Sequence, residues 1–148
     1  MIGIVSVMKH KLLPFLSVVI LVSTIGCGSH VAFTGKVVYS DDGEPVPTGE
    51  VQFYTPTFVA RATIREDGTF RTGSYKETDG LPPGTYGVAI VAAASSGISL
   101  IDLKYADQRT SGLTLTIEES TRNHEFRVDR ASQEQIDRQQ RALDAGGR

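Results

Sequence analysis

The side chains of this 148-residue chain best suited to metal binding or nucleophilic catalysis are three histidines and one cysteine, His10, His30, His124 and Cys27. A zinc centre needs three or four ligands converging on one ion. A hydrolytic triad needs a base in hydrogen-bond reach of its nucleophile and a third group to orient it. His10 falls in an apolar N-terminal segment and His30 follows Cys27 closely, so the later part of the chain offers the single imidazole of His124. One imidazole completes neither arrangement, and His124 reads as a surface residue at a strand end. No serine occupies the Gly-x-Ser-x-Gly turn that lifts a nucleophile above a sheet, and Ser95-Ser96-Gly97 reads as flexible loop. The expectation is a chain with no catalytic residues, no metal and no cofactor.

Three further groupings carry weaker chemistry. Asp41, Asp42 and Glu44 sit close enough to suggest calcium. A calcium ion takes about six to eight oxygens, more than this loop supplies, so the loop reads as a solvated turn. Lys36 and Asn123 are the pair that could form an isopeptide bond with loss of ammonia, as in some surface β-sandwiches. Such a bond needs a buried amine, whereas strict alternation turns Lys36 outward with Thr34 and Val38 while Phe33 and Val37 face inward. No crosslink is expected. Tyr54, Tyr75 and Tyr105 fall at outward or loop positions and could form an aromatic platform for a glycan, although the chain contains no tryptophan.

The thiol of Cys27 has a more specific context. Lys9, His10 and Lys11 form a basic start, and residues 12–25 are apolar apart from Pro14 and small hydroxyl residues. That run is shorter than the roughly 20 residues needed to span a bilayer and matches the apolar stretch of about 7–15 residues in a secretion signal. Thr24-Ile25-Gly26-Cys27 closes it and resembles the lipobox of bacterial lipoproteins, with Thr24 where Leu is usual. The resemblance implies removal of residues 1–26 and acylation of Cys27, the lipid attachment site, with residues 27–30 as a tether. A lone thiol is a liability in an oxidising compartment, and acylation removes it. Each buried acyl CH₂ contributes about 0.8 kcal/mol of membrane affinity. The expected location is the cell membrane or outer membrane, facing periplasm or cell exterior. Gly28, in place of the Asp that marks inner-membrane retention, leans toward the outer membrane.

Beyond residue 26 the chain carries 13 basic against 17 acidic groups. Nucleic-acid binding calls for a basic excess clustered on one face, so that class of partner is disfavoured. About 120 residues suit one hydrophobic core.

The elements that must position these side chains read as strands. Residues 31–40 alternate, with Val31, Phe33, Gly35, Val37 and Tyr39 on one side, and stop at the turn Asp41-Asp42-Gly43-Glu44-Pro45. Residues 50–55 alternate next, followed by 59–65, and Glu66-Asp67-Gly68 is a hairpin signal into residues 69–72. Pro83-Gly84 suits the middle of a type II turn before the run Tyr86, Val88, Ile90. After a loop at 93–112, residues 113–118 and 124–128 supply two more strands. Seven short strands without a helical repeat argue for an all-β, seven-stranded antiparallel β-sandwich over residues 31–130. Phe33, Val37, Phe53, Phe70, Tyr86, Val88, Leu115 and Phe126 are its expected core. Residues 131–148 form a polar tail, read as weak helix or disorder, with Ser132 and Gln135 as a capping box.

Gly35-Lys36-Val37-Val38-Tyr39, Glu44-Pro45-Val46, Gly49-Glu50-Val51-Gln52-Phe53, Asp67-Gly68-Thr69-Phe70 and Pro83-Gly84-Thr85-Tyr86 together resemble the carboxypeptidase regulatory-like, or transthyretin-like, domain. In that order they are similar to small planctomycete lipoproteins, over roughly residues 31–129. The resemblance implies a prealbumin-like or Ig-like sandwich that is an accessory or binding module. The hydroxyisourate hydrolases among transthyretin relatives rely on paired histidines, an arginine and a C-terminal Tyr-Arg-Gly-Ser, whereas this chain ends Ala145-Gly146-Gly147-Arg148. The expected function is a noncatalytic cell-envelope lipoprotein acting as a structural or protein-interaction module, with an unknown envelope protein or polymer as partner. The alternative is a glycan- or peptide-binding module built from the 93–112 loop, with Tyr105, and the 75–83 loop.

Overall fold

The computed structural model describes residues 30–73, 79–119 and 121–146. Among these lie seven strands, β1 (Thr34–Tyr39), β2 (Gly49–Tyr54), β3 (Val59–Ile64), β4 (Thr69–Arg71), β5 (Gly84–Val91), β6 (Leu113–Ile117) and β7 (Asn123–Val128). They form a three-stranded sheet ordered β4-β1-β7 and a four-stranded sheet ordered β3-β2-β5-β6, the two layers of an all-β sandwich. Period-2 alternation is the cause. In β3, Ala60, Ala62 and Ile64 are buried while Val59, Arg61 and Thr63 are exposed, as a strand with one wet face requires.

All eight side chains expected in the core are there, joined by Val51, Ile90, Ile117, Val128 and others. Phe70 is the hub of an aromatic cluster, with ring centroids 6.2 Å from Phe33, 6.0 Å from Phe53 and 6.1 Å from Phe126. Such pairs add about 0.5–1.5 kcal/mol each beyond the area they bury. Where polar groups enter the core they are matched: the Thr72 hydroxyl donates to the carbonyl of Phe33 and accepts from its N–H, both at 3.2 Å. Tyr86 donates from its phenol to the Pro82 carbonyl at 2.7 Å.

The strand partners depart from a wholly antiparallel sandwich at one place. β1 and β7 run parallel, Thr34 beside Asn123 and Tyr39 beside Val128, while the other pairings are antiparallel. Parallel neighbours cannot be joined by a tight turn, and here the entire second sheet intervenes between them in sequence. The Asp67-Gly68 turn forms, with Gly68 at φ 77° and Arg65 N–H bonded to the Thr69 carbonyl at 2.8 Å. It is not a hairpin within one sheet, because β3 continues beside β2 and β4 beside β1. Sequence pattern alone could not distinguish a hairpin from a crossing between layers, since both leave Ile64 and Phe70 facing the core. Gly84 has φ 156° and opens β5, far from the roughly +80° that a type II turn demands. On the outer side of β1, Val38 is covered by the returning chain, which bridges to it at Pro45.

The tail forms helix α2 (Gln133–Gly146), and its start carries the expected capping box: Ser132 Oγ accepts from Gln135 N–H and Gln135 Oε1 from Ser132 N–H, each at 3.3 Å. None of its residues is buried. It rests on the body through Gln139, which accepts from Ser99 N–H at 2.9 Å, and Gln135, which donates to Asp102 at 3.2 Å.

Candidate functional site

Because β1 and β7 run in the same direction, the residues that follow each strand meet at one end of the sandwich. Tyr39 N–H donates to the Glu44 carbonyl at 2.8 Å and Gly43 N–H to the Tyr39 carbonyl at 3.0 Å, with Gly43 at φ 74°. This tight turn projects Asp41, Asp42 and Glu44 toward the chain leaving β7. There Arg130 lays its guanidinium over the Tyr39 ring, 3.6 Å from the centroid. It reaches Asp41 at 3.0 Å, Asp42 at 2.6 Å and Glu44 at 3.4 Å. The hydrogen bond from Glu44 N–H, followed by that from Arg130, holds the Asp42 carboxyl below the usual carboxylate range. The solvated turn of the sequence reading is therefore a clamp on Arg130. No local signal could have revealed it, since the partners are 86–89 residues apart.

Asp129 anchors a second network beside the first. It accepts from Ser40 Oγ at 2.5 Å, Lys104 Nζ at 2.6 Å and the Tyr105 phenol at 3.0 Å. These bonds, Lys104 first, pull its pKa down to about 2. Tyr105 arrives there because the 93–112 segment is more than loop: Asp102 caps a 3-10 turn over Leu103–Ala106, and Asp107 caps the single-turn helix α1 (Gln108–Ser111). The turn drives Tyr105 into the core, where its ring is buried and its hydroxyl faces Asp129. This corrects the outward placement of Tyr105, which is spent on packing and cannot serve as an aromatic platform. Tyr54 is half-buried, its phenol donating to Gln52 Oε1. Tyr75 lies outside the described residues, as do His10 and Cys27, the lipid attachment position.

At the opposite end, where β1 and β7 begin, Thr34, Lys36, Arg122, Asn123, His124 and Glu125 line an open depression of about 530 Å³. His124 is half-buried, on the inner side of β7, with its ring 4.6 Å from that of Phe126. Burial lowers its pKa, which keeps the imidazole neutral near pH 7. His30 is exposed. The register sets Lys36 beside Glu125 and Asn123 beside Thr34, all on the outer face, as alternation requires. Asn123 is exposed and Lys36 half-buried, an unsuitable setting for a desolvated amine.

Chemically, these clusters pair charges with one another; they do not gather ligands around an open centre. Among the described residues, no group of three or more His, Cys, Asp or Glu is arranged to hold a metal ion, and no helix is long and apolar enough to cross a membrane. No family model matches the chain, and no curated protein matches it. Among solved structures, a variant of BcpA, the major pilin subunit of Bacillus cereus, is similar with 11% sequence identity and a TM-score of 0.43. The likeness covers 70% of this chain and 30% of the pilin chain.

Proposed function

We propose that this chain is a noncatalytic cell-envelope lipoprotein of the carboxypeptidase regulatory-like kind, held to a membrane by acyl chains on Cys27, whose sandwich serves as a structural or protein-interaction module. The observation that carries this reading is the use made of its clustered charges. Arg130 joins the first turn to the end of β7, and Asp129 joins β1, β7 and the 93–112 segment. Groups that an enzyme would leave free for substrate are here engaged in holding three parts of the chain together. The apolar run ahead of Cys27 and the absence of a second thiol support the anchoring. Acylation at Cys27 leaves residues 27–30 as the tether before Val31 enters the core, short enough to keep the sandwich at the membrane surface.

Photo-crosslinking of the intact chain in its own cells tests the module reading. Probes placed at exposed positions of the sandwich are expected to give a discrete adduct with an envelope protein or polymer. Hydrolysis or chemical modification of a small substrate by the purified protein would contradict the noncatalytic reading. Specific binding on a glycan array, lost when Tyr54 is replaced by Ala, would shift the reading to a glycan-binding module.

A further inference from the structure

The register of the three-stranded sheet assembles a cationic face in an acidic protein. Arg71, Thr34 and Asn123 form one row across β4, β1 and β7; Thr69, Lys36 and Glu125 form the next; Arg127 stands beside Val38. Alternation turns all of them away from Phe70, Val37 and Phe126, which fill the core. The face thus carries Lys36, Arg71 and Arg127 against Glu125, which Arg127 already engages at 2.8 Å, and Asp67, which accepts from Thr69 Oγ1 at 2.6 Å. Among the described residues neither Lys36 nor Arg71 has an ion-pair partner. Arg122 borders the same face, fixed by Nη1 bonds to the carbonyls of Glu119 at 2.8 Å and Thr121 at 3.1 Å. Glu118 and Glu119 lie in the connection from β6 to β7, next to Arg122, and trim the positive excess at that end of the face.

We propose that this face docks on an anionic phospholipid surface, with a phosphate headgroup seated in the depression between Lys36 and Arg122. Charge complementarity is the argument: a positive excess is concentrated on one face while the chain beyond residue 26 carries 13 basic against 17 acidic groups. The depression supplies a hydroxyl from Thr34 and an amide from Asn123 beside the two cations, donors suited to phosphate oxygens, while the Glu125 carboxylate that also lines it is engaged by Arg127. The opposite end carries Asp41, Asp42, Glu44 and Asp129 against Arg130 and Lys104, an acidic excess that an anionic bilayer repels and that orients the domain. The orientation rests on the proposed anchoring at Cys27. Residues 27–30 reach about 13 Å when extended, and Val31, paired with Leu81, enters the body just ahead of β1, at the end where the depression opens, which lets the sheet lie on the bilayer. Each basic residue at such a surface shifts the docked population about fivefold, an effect confined to about a Debye length of 8–10 Å.

The test uses the full chain, processed in bacteria, purified in detergent and reconstituted on vesicles of phosphatidylcholine alone or of equal parts phosphatidylcholine and phosphatidylglycerol. Acetylation of Lys36 and Lys104 is followed by mass spectrometry. The expected result is a slowing of Lys36 by about fivefold or more on the anionic vesicles, with Lys104 unchanged. Molar salt, which shortens the Debye length to about 3 Å, and Arg71→Glu each restore the rate. Equal Lys36 rates on both vesicles overturn the docking. Slowing of Lys36 by a soluble acidic polysaccharide but not by vesicles overturns it in favour of a polymer partner. Flotation reads the anchor separately. Protein that floats with both vesicles without Lys36 slowing keeps the anchor and loses the docking face, whereas protein that floats only with anionic vesicles keeps the face and loses the anchor.

Discussion

Replacing Gly35 by Ala adds one methyl group to the middle strand of the smaller sheet, and the core has no room for it. A Cβ at that position would stand 1.9 Å from Cζ of Phe70 and within 2.5 Å of both of its Cε atoms. The ring cannot retreat, because Phe33, Phe53 and Phe126 already pack around it. The strand cannot retreat either, since β1 is bonded on both sides, to β4 and β7. Overpacking of this kind costs about 1–3 kcal/mol, against a gain of about 0.4–1 kcal/mol from the stiffer unfolded chain. The net loss of about 1–2 kcal/mol corresponds to a fall in Tm of roughly 3–12 °C for a domain of this size. Thermal and urea melts followed by circular dichroism measure it, with the urea midpoint lowered at unchanged slope. Shortening the ring in the same chain should restore room: Gly35→Ala combined with Phe70→Leu is expected to lose less than the two single changes together, a coupling of about 0.5–3 kcal/mol. A Gly35→Ala variant that melts at or above the wild-type temperature would refute the packing of β1 against Phe70.

Three other outcomes follow from the same geometry. Phe126→Ala removes a buried ring from the stack on Phe70 and is expected to cost about 3–5 kcal/mol, read in a urea titration; a midpoint unchanged from wild type would mean that β7 faces the other way. The Asp129 carboxyl is held at about 2 in the folded protein against an ordinary 3.8. Its contribution is therefore complete above the unfolded value and is lost as pH falls through about 2. Asp129→Asn should lower Tm at pH 6 by more than it does at pH 2, and an equal loss at both would deny the carboxylate its role. Lys36 and Asn123, on the open outer face, should stay unlinked, so the intact mass of the folded protein is expected to show no loss of ammonia beyond processing at Cys27; an ammonia deficit that disappears in Lys36→Ala would reverse this.

The parts of this fold that were legible in the sequence are those governed by period-2 alternation. Which side of a strand is buried depends on its own residues, and Phe33, Val37, Phe53, Phe70, Tyr86, Val88, Leu115 and Phe126 all fall in the core as the pattern indicates. The Ser132–Gln135 cap was legible for the same reason, being a contact across three residues. What escaped depends on pairing at long range. The partner of Asp41, Asp42 and Glu44 is Arg130, far along the chain, and it meets them only because β1 and β7 run parallel. Tyr105 looked like a loop residue because the turn that buries it is set by the Asp102 and Asp107 caps and rewarded by Asp129. The cationic face was invisible for a similar reason: Lys36, Arg71 and Arg127 belong to three different strands and become neighbours only in register.

Detergent-phase partitioning of the full chain expressed in bacteria, compared with a Cys27→Ser variant, bears on lipid anchoring without passing through the fold. The wild-type protein is expected in the detergent phase, cleaved before Cys27 and heavier by its acyl chains. The variant is expected either in the aqueous phase or unprocessed with its apolar segment intact. A Cys27→Ser protein that is cut at the same site and still partitions into detergent would contradict the lipoprotein reading.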